Sequence, residues 1–277
     1  MDQQFSRSEV LTTADALAAE YLGTGGYGET WRVEVSPGKS VARKLLYKDG
    51  YDTARLAREV EGLQRVDSPY VVKLLGVDDA TIRDRRVPYL DFEYIPGGDL
   101  QKWVEAHSKV PADDADHLAS GLLQGVAALH DAKILHRDIK PANVALRNGN
   151  PRAPVLLDLG LAKLLDLDSI TRYPSHVGTA MYMAPEQFRG ERAVKGSDVW
   201  AVGVLLHQVV SGHHPFYRDG EQLTFDDVLR RLSNPPQPPT DASLALRQLI
   251  ARCLQQEPYQ RGNAARAHVR FIRETQP

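Results

Sequence analysis

One short run in the middle of the chain combines three side chains suited to moving a phosphoryl group. Within His136–Asn143, the carboxylate of Asp138 is followed two residues later by the ammonium of Lys140 and five residues later by the amide of Asn143. Phosphoryl transfer to a hydroxyl needs a group that orients the hydroxyl and accepts its proton, a cation near the moving phosphoryl, and an oxygen ligand for a metal ion. The run offers all three, so we expect it to be a catalytic loop.

The residues before this run predict how it is held. Ala128–Leu135 reads as the end of a helix passing into a short apolar strand. The run would then lie on a loop between buried elements, where a rigid framework can hold catalytic side chains in place.

A glycine-rich stretch lies much earlier in the chain. In Tyr21–Val35, apolar residues flank Gly23, Gly25 and Gly28. Glycines let a backbone approach phosphate oxygens closely and aim N–H groups at them. A dinucleotide-binding fold uses the same spacing but needs a helix after the glycines. Here β-forming residues follow Gly28, so the pattern favours strand, turn and strand.

Further motifs occur in a fixed order along the chain: Val41-Ala42-Arg43-Lys44, the His136–Asn143 run, Asp158-Leu159-Gly160 and Ala184-Pro185-Glu186. Together they resemble the catalytic domain of eukaryotic-type (Hanks-type) serine/threonine protein kinases, and we expect a bacterial member. The resemblance runs from about Tyr21 to Ile272. It departs from the family at Thr30, where Val is usual, and at Leu159, where Phe is usual.

The resemblance implies an α+β, bilobal protein kinase fold, with a small antiparallel β-sheet lobe carrying one main helix and a larger, mostly helical lobe. We expect an N-terminal extension at residues 1–18, the small lobe at 19–95 and the large lobe at 96–277. A five-stranded sheet is expected in the small lobe, with its helix at about Asp52–Val66 and a charged, solvated turn at Asp78–Arg86.

The resemblance also implies the activity. We expect a serine/threonine protein kinase that transfers the γ-phosphoryl group of ATP, with Mg²⁺ (or Mn²⁺ in its place), to hydroxyls of protein substrates. Lys140 favours serine and threonine, since tyrosine kinases carry Ala or Arg in a different tetrapeptide. Two alternatives are a catalytically silent pseudokinase scaffold and a small-molecule phosphotransferase. A scaffold is expected to have lost Lys44, Asp138, Asn143 or Asp158, and all four are present.

Each site residue takes its expected role from the same resemblance. Asp138 and Lys140 act on the acceptor and the moving phosphoryl, Lys44 aligns the phosphates and is held by Glu59, and Asn143 with Asp158 binds the metal. The residues expected to contact the nucleotide are Leu22, Gly23, Gly25, Gly26, Gly28, Thr30, Ala42, Lys44, Glu93, Ile95, Asp99 and Ala145. Asp99 also reads as a helix N-cap ahead of Leu100, and the two roles are compatible.

Three cations suggest regulation by phosphorylation. In the family, the positions of Arg55, Arg137 and Lys163 converge on a phosphate carried by the activation segment, and these cations would repel one another without an anion. The expected acceptor is Ser175, with Thr171 and Ser169 as alternates. We expect autophosphorylation in trans, through a transient dimer.

Two buried carboxylates are expected to support the site. Asp198, in the apolar run that predicts the central helix of the large lobe, reads as an N-cap and, from the family, as a group that holds the catalytic loop backbone. The resemblance also implies that Glu186 pairs with Arg261 in the interior.

Composition excludes other classes. A net charge of −2 gives no reason to expect attraction to nucleic acid or a membrane surface. The single cysteine, Cys253, allows no intrachain disulfide and is expected to be a buried apolar residue. No signal peptide or membrane-spanning run is visible, so we expect a cytoplasmic protein.

Overall fold

The computed structural model describes residues 3–25, 28–46, 53–158, 181–218, 221 and 223–275, without the side chains of residues 53–56, 58 and 59. The described chain divides into two compact units. The first comprises the residues up to Arg65 together with Val72–Tyr94, and the second comprises Val66–Val71 and the described residues from Ile95 onward. No described helix combines the length and the apolar character needed to span a membrane.

The first unit is built on an antiparallel sheet of five strands, as the sequence predicts. The strands are β1 (Ala18–Thr24), β2 (Gly28–Ser36), β3 (Lys39–Leu46), β4 (Leu74–Ile82) and β5 (Arg85–Glu93), in the spatial order β1-β2-β3-β5-β4. Two helices accompany the sheet: α1 (Arg7–Val10) and α2 (Thr53–Gln64). β1 and β2 pair antiparallel, so the strands predicted before and after the glycines are confirmed; Gly26 and Tyr27 between them lie outside the described residues.

Side-chain alternation explains the core of this unit. On β2, Trp31 and Val33 are buried, and on β3 the same face carries Val41 and Leu45. Successive side chains of a strand point to opposite faces, so these positions line one apolar face of the sheet.

The predicted loop at Asp78–Arg86 is wrong. β4 continues to Ile82 and β5 begins at Arg85, so only Arg83 and Asp84 form the turn, both with positive φ (52° and 57°). Ala80 and Ile82 are buried, whereas Thr81 between them and Asp78 earlier on the strand are exposed. The stretch therefore consists of two half-buried strand ends, and the charged residues on these strand ends belong to the solvent-exposed face of the sheet instead of a loop.

The second unit is mostly helical and carries one small hairpin. Its helices are α3 (Leu100–His107), α4 (Ala112–Asp131), α5 (Pro185–Phe188), α6 (Lys195–Ser211), α7 (Phe225–Leu232), α8 (Leu244–Cys253), α9 (Pro258–Arg261) and α10 (Ala264–Thr275), and its hairpin strands are β6 (Val144–Leu146) and β7 (Pro154–Leu156). Helix α6 is buried along most of its length, and Cys253 is buried as predicted. A Cβ on Gly203 would lie 2.4 Å from Cys253 Cβ, so a glycine lets α6 and α8 pack closely.

The strand predicted at Ile134–Leu135 is wrong. Helix α4 ends at Asp131, and the chain then turns at Ala132 and Lys133, with φ of 63° at Lys133. Ile134 is still buried, and its N–H donates to Leu129 O at 2.9 Å. The apolar run is therefore fastened to the end of the helix instead of joining a sheet.

Candidate active site

The three predicted groups of the catalytic loop meet at one carboxylate oxygen. Asp138 Oδ2 accepts hydrogen bonds from Lys140 Nζ at 3.0 Å and from Asn143 Nδ2 at 2.8 Å, and Asn143 Nδ2 also donates to Asp138 O at 2.8 Å. Residues 141–143 form a single 3₁₀ turn, which carries Asn143 back over the Asp138 backbone. The spacing of two and five residues therefore brings the carboxylate, the ammonium and the amide together within one short loop.

Asp198 fastens this loop from below. Its carboxylate is 2% exposed and accepts hydrogen bonds from His136 N (2.9 Å), Arg137 N (2.8 Å) and His130 Nε2 (2.9 Å). The predicted hold on the catalytic loop backbone is confirmed. The predicted N-cap role is wrong, because α6 begins at Lys195 and Asp198 lies inside its first turn.

The backbone of the loop has an unusual conformation that this hold explains. Arg137 has φ of 63°, in the left-handed region that few side chains adopt without cost. Strained backbone persists where surrounding contacts over-determine it, and here two backbone N–H groups in succession bind one buried carboxylate. His136 is fully buried beside them, and that burial lowers the pKa of its imidazole, so the ring is neutral at pH 7.

The two expected metal ligands are brought to one edge of the β6–β7 hairpin. Val144 pairs with Leu156 in the hairpin, and Leu157 N donates to Asn143 O at 2.9 Å, so Asp158 follows directly after the residue bonded to Asn143. Asp158 is exposed and has φ of 54°. Because Asn143 Nδ2 is used on Asp138, its Oδ1 is the atom that it can offer to a cation.

The first unit holds the glycine-rich turn and the strand lysine. Gly25 N donates to Gly28 O at 2.8 Å, which closes the turn. A Cβ on Gly28 would lie 2.3 Å from Leu45 O, so only glycine fits there. Lys44 on β3 is 6% exposed and pairs in register with Thr30 on β2.

The other expected nucleotide contacts divide between the two units. In the first unit, Ala42 pairs with Phe92, Leu22 is partly exposed, Gly23 lies in β1 and Glu93 N donates to Lys73 O at 2.9 Å. In the second, Ile95 is buried and Asp99 forms a bridge with Ala145. Asp99 Oδ1 also accepts from Lys102 N at 2.9 Å, so its predicted N-cap role for α3 is confirmed.

Several expected site residues lie outside the described part of the chain. They are Gly26, Leu159, Lys163, Ser169, Thr171 and Ser175, together with the side chains of Arg55 and Glu59. Their assignments stay predictions.

The predicted pair of Glu186 and Arg261 is confirmed. Arg261 Nη1 and Nη2 donate to the two carboxylate oxygens at 2.8 and 2.7 Å, and Ser197 Oγ donates to Glu186 Oε1 at 2.6 Å. The Arg261 guanidinium also lies 5.1 Å from the ring centre of Trp200. The pair therefore ties Glu186, at the start of α5, to α6 and α9.

A buried histidine supports the segment just before α5. The Tyr182 ring meets the His214 ring edge to face at 5.4 Å, and Tyr182 OH donates to Gln208. His214 Nδ1 accepts from Phe216 N and Tyr217 N at 3.1 and 3.2 Å. Burial lowers the pKa of His214 to about 3, so it folds in its neutral form.

This lowered pKa predicts an acid-sensitive fold. Between about pH 6.5 and pH 3 the unfolded chain binds a proton at His214 that the folded chain does not, so the free energy of unfolding should fall by about 1.4 kcal/mol per pH unit from this residue. His214→Asn, whose Oδ1 can accept the same backbone bonds, should lose that dependence. Denaturant unfolding of both forms at pH 5 and pH 7.5 checks the prediction. An equal loss of unfolding free energy between the two pH values in both proteins would contradict it.

Two buried charges beside the expected phosphate-binding groups are not predicted by the sequence analysis. Glu29 follows Gly28 and Arg43 precedes Lys44, and both side chains are buried on the apolar face of the sheet. A usable signal was present, since Glu29 shares its strand parity with the buried Trp31 and Val33.

Comparisons with known proteins bear on the chain as a whole. Residues 18–270 match the family described as protein kinase domain. The chain is 32% identical to the serine/threonine-protein kinase PkaA of Streptomyces coelicolor over 90% of its own length and 48% of that protein. It is also 32% identical to the mitogen-activated protein kinase kinase 7 of Arabidopsis thaliana, over 96% of its length and 87% of that protein.

A solved structure has a similar fold. The crystal structure of Rad53 residues 1–466 in complex with AMP-PNP superposes with a TM-score of 0.71 and 28% identity, covering 90% of this chain and 62% of that one. The bacterial relatives are longer: the chain spans about half of PkaA and 30% of AfsK from the same organism. The match over residues 18–270, the order of the motifs along the chain and the shared fold place this chain in the protein kinase domain family.

Proposed function

We propose that the chain is the catalytic domain of an ATP-dependent serine/threonine protein kinase, with residues 19–95 and 96–277 as its small and large lobes. The observation that carries the proposal is the shared bonding of Asp138 Oδ2 to Lys140 and Asn143 on a loop fastened by Asp198. The proposed base, cation and metal ligand therefore belong to one hydrogen-bonded cluster. The same cluster argues against a silent scaffold, since it retains both Asp138 and Asn143, residues that a scaffold is expected to have lost.

We assign the roles from the family resemblance, and the contacts support them. Asp138 accepts the hydrogen bond of the acceptor hydroxyl and aims its oxygen at the γ-phosphorus. It takes up the hydroxyl proton as the new O–P bond forms and the bond from the γ-phosphorus to the leaving group, ADP, breaks. Lys140 stands beside that carboxylate and can neutralise charge on the moving phosphoryl group. Lys44, proposed to be held by Glu59, aligns the α- and β-phosphates, which lowers the entropic part of the barrier.

The metal ligands have the chemistry that Mg²⁺ prefers. Asn143 Oδ1 and the Asp158 carboxylate are hard oxygen donors, and one protein carboxylate with few other protein ligands is usual for a magnesium ion shared with phosphates. Bound there, Mg²⁺ would neutralise charge between the phosphates; Mn²⁺ has the same ligand preference. We propose protein serine and threonine residues as acceptors, and a cytoplasmic location, where ATP is available.

A transfer assay tests the function. Wild-type protein with radiolabelled Mg-ATP should label a generic protein substrate on serine or threonine. It should leave aminoglycosides and other small hydroxyl compounds unlabelled. Labelling of small molecules alone would favour the metabolite phosphotransferase, and nucleotide binding with no labelling in any arm would favour the scaffold.

Regulation by autophosphorylation is a further part of the proposal. A phosphate carries about −2 charge and accepts bidentate hydrogen bonds from arginine, so it could bring together the predicted cations Arg55, Arg137 and Lys163. Mass spectrometry after incubation with Mg-ATP should find phosphate at Ser175, Thr171 or Ser169. Mixing active enzyme with an Asp138→Asn form of different mass should label the inactive partner if a transient dimer acts in trans. Fully active enzyme without phosphate in this segment would contradict the proposal.

A further inference from the structure

The residues before β1 are part of the first unit and cover one face of its sheet. We call residues 3–17 the N-terminal segment. Phe5 and Val10 belong to the same buried apolar cluster as Trp31 and Val33 of β2. A sheet whose two faces both carry apolar side chains must bury both. The N-terminal segment buries the face opposite to the one that carries Lys44.

Glu29 is the first polar anchor of this segment. Its side chain is 0% exposed. Its carboxylate accepts hydrogen bonds from Gln4 N, from Phe5 N at 3.2 Å and from Trp31 Nε1 at 3.3 Å. A buried carboxylate is costly unless several donors satisfy it, so Glu29 and the two backbone N–H groups of the segment depend on each other.

Arg43 is the second anchor. Its Nη1 donates to Thr13 Oγ1 at 2.5 Å and to Ala14 O at 2.8 Å. Its Nε and Nη2 donate to the two oxygens of Asp91, each at 2.7 Å, and its guanidinium lies 4.2 Å from the ring centre of Tyr89. One buried guanidinium therefore joins the end of the segment to β3 and β5.

A third contact fixes the middle of the segment from the β4–β5 turn. Arg83 donates to the carboxylate of Glu9 at 2.5 and 3.0 Å and to Gln4 O at 3.1 Å. Glu9 also closes a capping box with Ser6 at the start of α1. The segment is thus held along its length by three separate charged side chains.

The two buried anchors adjoin the groups assigned to the phosphates. Glu29 follows Gly28, the last glycine of the turn, and Arg43 precedes Lys44. In the β2–β3 ladder, Thr30 pairs with Lys44 and Glu29 pairs with Leu45, so the anchors and the phosphate-binding groups alternate along the same two strands. A shift of either strand on its apolar face would move Gly28 and Lys44 on the other face by a similar amount.

We propose that Glu29 and Arg43 are positioning residues: by binding the N-terminal segment, they fix the glycine-rich turn and Lys44 in the geometry that ATP requires. This inference rests on the proposed kinase function and deepens it, because it assigns a role to residues 3–17. Neither side chain contacts the nucleotide; each acts through its neighbour in sequence.

The test is a pair of matched substitutions on β2. Glu29→Gln keeps the shape but turns an amide N–H₂ toward N–H donors, so the segment should loosen and the KM for ATP should rise about fivefold or more, with a smaller change in kcat. Glu34→Gln changes the same chemistry at the far end of the strand, where Glu34 is bonded to Gly38 N. Its KM for ATP should stay within about twofold of the wild-type value.

A milder pair guards against loss of folding. Thr13→Val removes one acceptor of Arg43 and should raise the KM for ATP about two- to threefold. Thr12→Val removes the exposed hydroxyl next to it, which is bonded to Glu9 O at 2.7 Å, and should leave the KM unchanged. Melting temperatures are recorded for all four variants, and kinetics are measured well below each midpoint.

The outcomes are distinct. A KM that rises in Glu29→Gln and Thr13→Val but in neither control supports positioning. A lowered melting temperature with an unchanged KM for ATP in both would overturn it and leave the segment a purely structural element. If wild-type protein transfers no phosphoryl group, the proposed function fails on its own. The inference is then judged by the dissociation constant for Mg-ATP, and an unchanged value in Glu29→Gln overturns it.

Discussion

Asp138→Asn should lower the rate of phosphoryl transfer by about 10²- to 10⁴-fold while leaving the affinity for ATP nearly unchanged. The amide cannot accept the hydroxyl proton, and its N–H₂ group would face Lys140 Nζ and Asn143 Nδ2, the two donors that now share Asp138 Oδ2. Asp138 is assigned no contact with a phosphate oxygen, so ground-state binding should survive. Single-turnover transfer rates and equilibrium titration with Mg-ATP measure the two quantities separately.

Two companion variants sharpen this result. Asp158→Asn should abolish transfer and, unlike Asp138→Asn, should weaken the Mg²⁺-dependent part of ATP affinity, because Asp158 is a proposed metal ligand. Asp131→Asn changes an exposed carboxylate at the end of α4 and should alter neither quantity. Retained turnover in Asp158→Asn would remove the metal assignment, whereas equal loss of ATP affinity in both active-site variants would mean that Asp138 also binds the nucleotide.

The catalytic loop could be predicted from the sequence because its geometry is local. Asp138, Lys140 and Asn143 lie within six residues, and one 3₁₀ turn is enough to bring them into contact. The glycine-rich hairpin was predictable for a related reason, since β-forming residues on both sides of the glycines leave one pairing that keeps the apolar side chains on one face.

Long-range contacts were harder to predict from the residues alone. Asp198 binds loop residues that lie 61 and 62 positions away, and it could be assigned only through the family resemblance. Its position inside the first turn of α6 contradicts the simpler N-cap interpretation. The burial of Glu29 depends on the N-terminal segment folding back onto the sheet. Its partners in that segment are the backbone N–H groups of Gln4 and Phe5, which no side-chain pattern in residues 1–18 marks. A charged residue on the buried parity of a strand was the one local sign.

The largest effect on stability is expected at the pair of Glu186 and Arg261. The side chains are 2% and 0% exposed, and Arg261 makes five hydrogen bonds, including two to Glu186 and one to Gly196 O. Removing one partner of a buried pair leaves an uncompensated charge, so Arg261→Met should lower the free energy of unfolding by about 3–5 kcal/mol. Arg252→Met removes a similar pair of hydrogen bonds to Glu274 at a partly exposed site. There the free energy of unfolding should fall by about 1 kcal/mol or less.

The pH dependence tells an unpaired carboxylate from a simple packing defect. Burial alone would raise the pKa of Glu186, but the hydrogen bonds from Arg261 and Ser197 outweigh it and hold the pKa below its usual value. In the wild-type protein this group therefore adds stability above its unfolded pKa of about 4.5, and loses that contribution as the pH falls. In Arg261→Met the pKa of Glu186 should rise, so protonation should relieve part of the damage at low pH. The difference in unfolding free energy between the two proteins should shrink from pH 7 to pH 5 in denaturant titrations. Adding Glu186→Gln to Arg261→Met should recover part of the lost unfolding free energy at pH 7. A double variant no more stable than Arg261→Met would show that lost packing around Trp200, and not the buried charge, causes the destabilisation.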